Sequence, residues 1–184
     1  MLSNYRKIQP EEIRSISFKL IGKDWMLITA GDIGSYNTMT ASWGQFGILW
    51  SLPVATCYIR PQRYTYGFAE KSDYFTLSFF SKEYRKALQL CGSKSGREID
   101  KAREAGLTPF ETEFKAVSFK EARMIIECKK LYTDFLRSDN FIEEDLIRKN
   151  YPESDFHRFY IGEVKRVWVR KDSDSRNFLK DLFK

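Results

Sequence analysis

Residues 36–65 read YNTMTASWGQFGILWSLPVATCYIRPQRYT. Residues 37–42 form a strand-like run that breaks at Ser42-Trp43-Gly44, a small residue, a large ring and a glycine in a row. A second apolar run, residues 54–59, ends in a basic, hydroxyl-rich turn, Arg60-Pro61-Gln62-Arg63-Tyr64-Thr65. Two strands that meet a small-residue loop at one end and a pair of arginines at the other suit a flat aromatic ligand carrying a phosphate. A phosphate calls for forked guanidinium donors, hydroxyls and free backbone N–H groups. Arg60, Arg63, Tyr64 and Thr65 supply the first two within six residues. A flat heterocycle needs main-chain donors at close range, which the small Ala41, Ser42 and Gly44 permit, while Trp43 either walls the ring or fills the core.

Outward from this stretch, further segments carry a pattern. They are Asn37, residues 39–44 (MTASWG), Pro53, residues 60–65 (RPQRYT), residues 74–78 (YFTLS) and residues 91–97 (CGSKSGR) with Asp100-Lys101. Residues 106–109 (GLTP) and His157 with residues 160–164 (YIGEV) complete it. In order and spacing these resemble the flavin reductase-like proteins of the FMN-binding split-barrel family, most closely its flavoredoxin-like branch, over roughly residues 10–170.

Composition agrees with a globular chain of this kind. At 184 residues one domain is expected, spanning 1–184 with its core at about 10–170 and a polar tail at 171–184. Aromatic content of 16%, with 15 Phe and 10 Tyr, leans towards a β-rich core. The net charge of +6 suits an anionic cofactor, and also nucleic acid or simply a mildly basic surface. The N-terminus shows no apolar signal region, and no run approaches the roughly 18 apolar residues of a membrane span. Cys57, Cys91 and Cys128 are odd in number and irregular in spacing, which argues against a disulfide framework and for a reducing cytoplasm. A single histidine, His157, excludes a multi-histidine metal site, so no metal is expected and the chemistry falls to a cofactor.

Along the chain, residues 1–14 read as a polar lead-in or one turn of helix. Ile16, Phe18 and Leu20 alternate as a half-buried strand, and residues 25–30 form a strand ending in a Gly31–Gly34 turn. Residues 43–53 read as an irregular aromatic loop, covered by a ligand, by a second subunit or by the barrel's own core. Tyr64 to Lys71 reads as a helix and residues 74–80 as a strand. Residues 81–90 read as a helix with Ser81 as N-cap. Residues 92–97, rich in Gly and Ser, resemble a phosphate-cradling loop without matching a P-loop or dinucleotide fingerprint; a solvated lead into a helix at 98–105, stopped by Gly106, is the plain alternative. Residues 115–137 give two strands or one bent strand, residues 139–150 a helix with Asp139 as N-cap, and residues 156–169 the closing strand. Cys57 and Cys128 read as core thiols. Cys91 reads as a plain thiol at a helix end, with reactivity the alternative.

The expected fold is therefore mainly β: an antiparallel Greek-key split barrel with peripheral helices. The resemblance implies non-covalent FMN bound by Asn37, Thr40, Ala41, Ser42, Trp43 and Gly44 around the ring and ribityl chain. Arg60, Arg63, Tyr64 and Thr65 would lie at the phosphate, with Cys91, Ser93 and Lys94 as further contacts. It implies an FMN-dependent NAD(P)H oxidoreductase of the flavin reductase type that passes electrons through the flavin to a flavin, a metal ion or a protein. No protein side chain is expected to carry the hydride, and His157 is the candidate for binding or proton handling. Homodimerisation with the flavin near the interface is implied as well. The alternatives are a flavoredoxin-like electron carrier with little NAD(P)H activity and a non-enzymatic barrel for single-stranded nucleic acid. Against the second, the arginines cluster after one strand instead of lining a face.

Overall fold

The computed structural model describes residues 4–8 and 17–171. Ten strands and five short α-helices are present among them. The strands are β1 (Tyr5–Ile8), β2 (Met26–Asp32), β3 (Ser35–Ala41), β4 (Gly44–Leu49), β5 (Leu52–Ile59), β6 (Tyr74–Phe79), β7 (Pro109–Glu111), β8 (Val117–Phe119), β9 (Met124–Phe135) and β10 (Arg158–Arg170). The helices are α1 (Ser17–Lys19), α2 (Tyr64–Lys71), α3 (Arg85–Ser93), α4 (Lys101–Glu104) and α5 (Glu144–Asn150).

Eight strands join in one antiparallel sheet, seven in the order β3-β2-β6-β9-β10-β5-β4 and β1 paired to β10 off that path. After the β2–β5 run, β6 returns to pair with β2, the long return of a Greek key. β10 has 13 residues and splits one of its edges between two partners. Its first half pairs with β5 from Arg158 to Glu163, and its end pairs with β1 from Val167 to Arg170. Register shifts against β9 at Ile161/Gly162 and Val164/Arg166 supply the bend this division requires. The expected mainly antiparallel barrel with peripheral helices is thus what the chain forms.

The core has two compartments. Met26, Ile28, Ala30, Phe79 and Ile126 point into one, while Leu27, Phe80, Ile125 and Trp168 point into the other, against α3, α4 and the β7–β8 hairpin. β2 and the start of β9 are therefore buried on both faces, which is why they read as continuous apolar runs rather than alternating ones.

Several expected elements differ. Residues 18–20 are helical, continuing into a π-turn at Leu20–Asp24. Phe18 is 86% exposed, whereas the consecutive Leu20 and Ile21 are both buried, a spacing no strand offers. Ile16 and the tail beyond Lys171 lie outside the described residues, as does the lead-in apart from residues 4–8, and Tyr5–Ile8 is a strand. The aromatic loop at 43–53 is mostly β4 and its hairpin with β5. Its turn places Trp50 and Ser51 at φ 53° and 58°, positions for which Asn-Gly is the usual signal, so the sequence hid the hairpin. Ser81 donates to Glu83 Oε1 at 2.6 Å instead of capping, and α3 begins at Arg85. The helix expected at 98–105 shortens to α4, where the Asp100 side chain accepts from the Arg103 N–H at 3.1 Å. The helix expected at 139–150 divides into a 3-10 turn at Ser138–Asn140 and α5. Residues 115–137 hold two strands, β8 and β9. Cys57, Cys91 and Cys128 are buried free thiols. No helix among the described residues is long and apolar enough to cross a membrane.

Candidate functional site

β3, the start of α2, the end of α3 and the 94–100 loop meet at one place. Asn37 on β3 is buried, and its side-chain amide donates to Thr65 Oγ1 at 2.7 Å. That bond ties the strand to the first turn of α2. The helix opens at Arg63, whose backbone is extended, and no side chain caps it. The Tyr66 N–H already donates to the Arg63 carbonyl at 2.9 Å, which leaves the N–H groups of Tyr64 and Thr65 for an outside acceptor. Arg63 Nη2 donates to the Gly92 carbonyl at 2.8 Å, Arg97 Nη1 donates to the Gln62 carbonyl at 3.2 Å, and the Arg97 guanidinium stacks 4.8 Å above the Tyr64 ring. Lys101 at the start of α4 is buried, and its Nζ donates to the carbonyls of Thr38 and Cys91 at 2.9 Å each. Gly96 lets the loop lie against the strand: a Cβ there would sit 2.0 Å from Asn37 Oδ1 and 3.0 Å from the Tyr64 ring.

Three cations thus gather with main-chain carbonyls as their acceptors. Among the described residues, none of Arg63, Arg97 and Lys101 makes an ion pair. The electrostatic strain is visible in the lysine: burial, then the Arg63 charge, lowers the Lys101 pKa to about 8. Burial and Arg60 likewise lower that of Arg63. Carbonyl dipoles hold a cation in place without cancelling its charge, so the cluster is left short of an anion.

Beside it opens a cleft of about 430 Å³, lined by Thr40, Ala41 and Ser42 on one side and by Leu88, Gly92 and Ser93 on the other. Thr40 Oγ1 donates to the Leu88 carbonyl, fixing the strand to α3. Ser93 Oγ donates to the Gln89 carbonyl at 2.9 Å, and Lys94 is exposed. Cys91 faces inward, and burial pushes its thiol up to about 11 against the pull of Lys101, so it is an inert thiol. Its contribution here is its carbonyl.

Arg60 goes to a different place. Its guanidinium pairs with Asp155, donates to the Asn150 carbonyl at 2.8 Å, and lies 5.3 Å above the Tyr151 ring. Gln62 donates to the same Asp155 oxygen. Tyr151 Oη and His157 Nδ1 are 2.9 Å apart, and the Trp43 ring lies 4.9 Å from the imidazole. Burial first, then Arg60, lowers the His157 pKa to about 4, against an opposing pull from Asp155. The ring is therefore neutral near pH 7.

The structure accordingly brings together Asn37, Thr40, Ala41, Ser42, Arg63, Tyr64 and Thr65 with the 91–94 stretch. It puts Arg60, Trp43 and His157 in a second cluster. Gly44 faces the protein's own interior, where a Cβ would meet the Thr56 carbonyl at 2.9 Å and Met26 Cε at 3.0 Å. Sequence reasoning passed over Arg97 and Lys101 as site residues. The signal was present in their place after the Gly-Ser loop, but nothing in sequence tells that Lys101 turns inward.

The family model described as flavin reductase like domain matches residues 18–181. The flavoredoxin of Desulfovibrio vulgaris (Miyazaki F) superposes with a TM-score of 0.62 at 27% identity, covering 80% of this chain and 69% of its own. An FMN-binding protein from Thermus thermophilus, solved with p-hydroxybenzaldehyde, gives 0.63 at 22% identity, covering 80% and 72%. An FMN-binding domain of a flavin reductases-like enzyme from Shewanella baltica OS155 gives 0.66 at 18%, covering 91% and 78%. No protein of curated function matches the sequence.

Proposed function

The chain belongs to the flavin reductase like domain family, and we propose that it binds FMN non-covalently and works as an NAD(P)H-dependent oxidoreductase that hands electrons on to a flavin, a metal ion or a protein. The observation that carries the reading is the anion-deficient cluster of Arg63, Arg97 and Lys101 at the uncapped start of α2, next to the Thr40–Ser42 cleft. The donor set fits the cofactor: guanidinium forks and free helix N–H groups for a phosphate, and a strand edge with small residues for a flat ring. Bound FMN supplies the redox chemistry, taking up a hydride and releasing electrons singly or in pairs.

The chain's own part is binding and charge control. Arg63 and Arg97 neutralise the phosphate, with Tyr64 and Thr65 beside them. Thr40, Ala41 and Ser42 line the ring's approach, with Gly92 and Ser93 opposite. Lys101, held by the Thr38 and Cys91 carbonyls and not by a carboxylate, keeps its positive charge and would add it to the same anion-binding cluster. His157, neutral and bonded to Tyr151, is a candidate proton-handling group only if substrate reaches the Trp43 face.

A second reading, an FMN electron carrier with little NAD(P)H activity, is favoured by the 27% identity to a flavoredoxin. The visible spectrum before and after anaerobic NADH or NADPH separates the two. A yellow protein that bleaches rapidly is the reductase, and one that stays oxidised until a protein donor is added is the carrier. A protein that takes up no FMN sinks both. We further propose a homodimer through the exposed apolar tip of the β4–β5 hairpin, Ile48 and Trp50, with Leu131 and Tyr132 of β9. Sedimentation of wild type against Trp50→Asp tests it; a monomeric wild type rejects it. Its working compartment is the reducing cytoplasm, in keeping with three buried thiols.

A further inference from the structure

Leu88 on α3 is shared by two recesses. One is the Thr40–Ser42 cleft; the other, of about 230 Å³, is walled by Lys19, Lys82, Arg85 and Arg123 with Asp24. That volume is below the roughly 300–1,000 Å³ of small-molecule sites, so the recess suits an entering side chain better than a cofactor. Trp25 joins the two places: it lines the first cleft, and its ring carries the Arg85 guanidinium 4.0 Å above it.

The charges of this face are incompletely answered. Arg123 pairs with Asp24 at 2.8 Å. Arg85 donates to the Lys23 carbonyl, and its Nη1 is buried without an acceptor among the described residues. Lys23, Lys82 and Lys86 are exposed, and among the described residues none of them makes an ion pair. Glu83 accepts the Ser81 hydroxyl at 2.6 Å, and Glu121, close to Arg123 in sequence, accepts the Thr108 N–H at 2.9 Å. Six cations, in residues 19–23, 82–86 and at Arg123, thus stand against Asp24 and Glu83, on a chain whose whole net charge is +6. A surplus gathered on one face draws acidic macromolecules by its field and orients them as they approach.

We infer that this face docks a small acidic electron-transfer protein, whose carboxylates meet Lys23, Lys82 and Lys86 and enter the recess at Arg85. The charge argues for an acidic partner by itself. That the partner carries electrons rests on the flavin reading of the neighbouring cleft, which Trp25 and Leu88 share with this face. A bilayer or a nucleic acid gains nothing from lying beside that cleft, whereas a redox protein must come close to it to exchange electrons.

The test uses the full chain and, as probe, a plant-type 2Fe–2S ferredoxin, a small acidic one-electron carrier. The patch variant is Lys23→Glu/Lys82→Glu/Lys86→Glu. The control, Lys71→Glu/Lys115→Glu/Lys149→Glu, makes the same charge change at exposed lysines elsewhere. Ferredoxin is titrated calorimetrically into flavin-free and FMN-loaded protein at about 0.1 M ionic strength, where the screening length is about 10 Å and nearby charges dominate. We expect wild type to bind in both forms, the patch variant to bind about tenfold or more weakly, and the control to stay within about threefold of wild type. In the FMN-loaded protein, two electrons, one from each of two reduced ferredoxins, and a proton from water bleach each flavin. At limiting ferredoxin that rate should fall by a similar factor in the patch variant alone. No ferredoxin binding to wild type, or equal losses in the two variants, overturns the inference. So does binding of phosphatidylserine vesicles or of a single-stranded oligonucleotide that the patch variant loses while ferredoxin does not bind; that result gives the face to a membrane or to nucleic acid. If FMN does not bind, the flavin reading fails on its own, and titration of the flavin-free protein still decides the docking surface.

Discussion

Arg60 and Arg63 stand three residues apart at the end of one strand, yet the fold gives them opposite fates. Arg60 is neutralised by Asp155 and seated on Tyr151, so it fastens the 150–157 segment to β5. Arg63 is held by the Gly92 carbonyl and surrounded by Arg97, Lys101 and the uncapped end of α2. The first arginine has spent its charge inside the protein. The second has kept its charge for something that comes from outside. Two arginines beside a buried strand therefore say little by themselves about an anion site. Whether a carboxylate already answers each one decides the matter.

The largest effect should come from breaking that asymmetry on the ligand side. Arg63→Ala is expected to weaken FMN about 30-fold or more while riboflavin changes little, as measured by fluorescence quenching, because a charge-assisted bond to the phosphate is lost. Arg60→Ala should leave FMN affinity within about threefold and cost about 1–3 kcal/mol of stability in urea unfolding, because Asp155 keeps its place without its partner. If Arg60→Ala loses FMN as strongly as Arg63→Ala, the contrast between the two arginines is wrong. Gly96→Ala should weaken FMN by about tenfold, since a Cβ would overlap Asn37 and push the loop off the strand.

The smaller effects are in pH. With its pKa lowered to about 8, Lys101 is protonated below that value and neutral above it. An anionic ligand favours the charged form, so FMN affinity should be level below pH 8 and decline above it, by at most about tenfold per pH unit. Lys101→Met should abolish the decline, and a decline that persists would remove Lys101 from the site. His157 works on stability instead. Its pKa is lowered to about 4 in the fold from an ordinary 6.5. The unfolded chain therefore binds the proton more readily, and the stability His157 confers is complete above pH 6.5 and lost as the pH falls towards 4. Thermal melts of wild type and His157→Gln across that window should converge at low pH.

The fold class was legible because its signals are local. Residues 74–79 are dense in β-formers, and Tyr64–Lys71 is bracketed as a helix to the residue. β4 was not legible, because its turn is built from Trp50 and Ser51 rather than Asn-Gly, and an edge strand with one exposed face gives a weak alternation. Nor were α1 and the π-turn that follows it, where Phe18 and Leu20 mimic a strand's period although only Leu20 is buried. In the candidate site, Arg63 and Thr65 could be named from their residue types and spacing, and Asn37 only through the family resemblance. The inward turn of Lys101 could not, because it depends on carbonyls 10 and 63 residues away.

By itself the sequence determined the residue chemistry at hand: an aromatic, β-forming chain with basic and hydroxyl groups after one strand and a Gly-Ser loop before a lysine. The same holds for the family pattern they spell. Only the tertiary structure decided which of those charges are answered. Hydrogen bonding and ion pairing are short-range and directional, so a partner 95 residues away, as Asp155 is from Arg60, silences a cation that the local sequence presents as free.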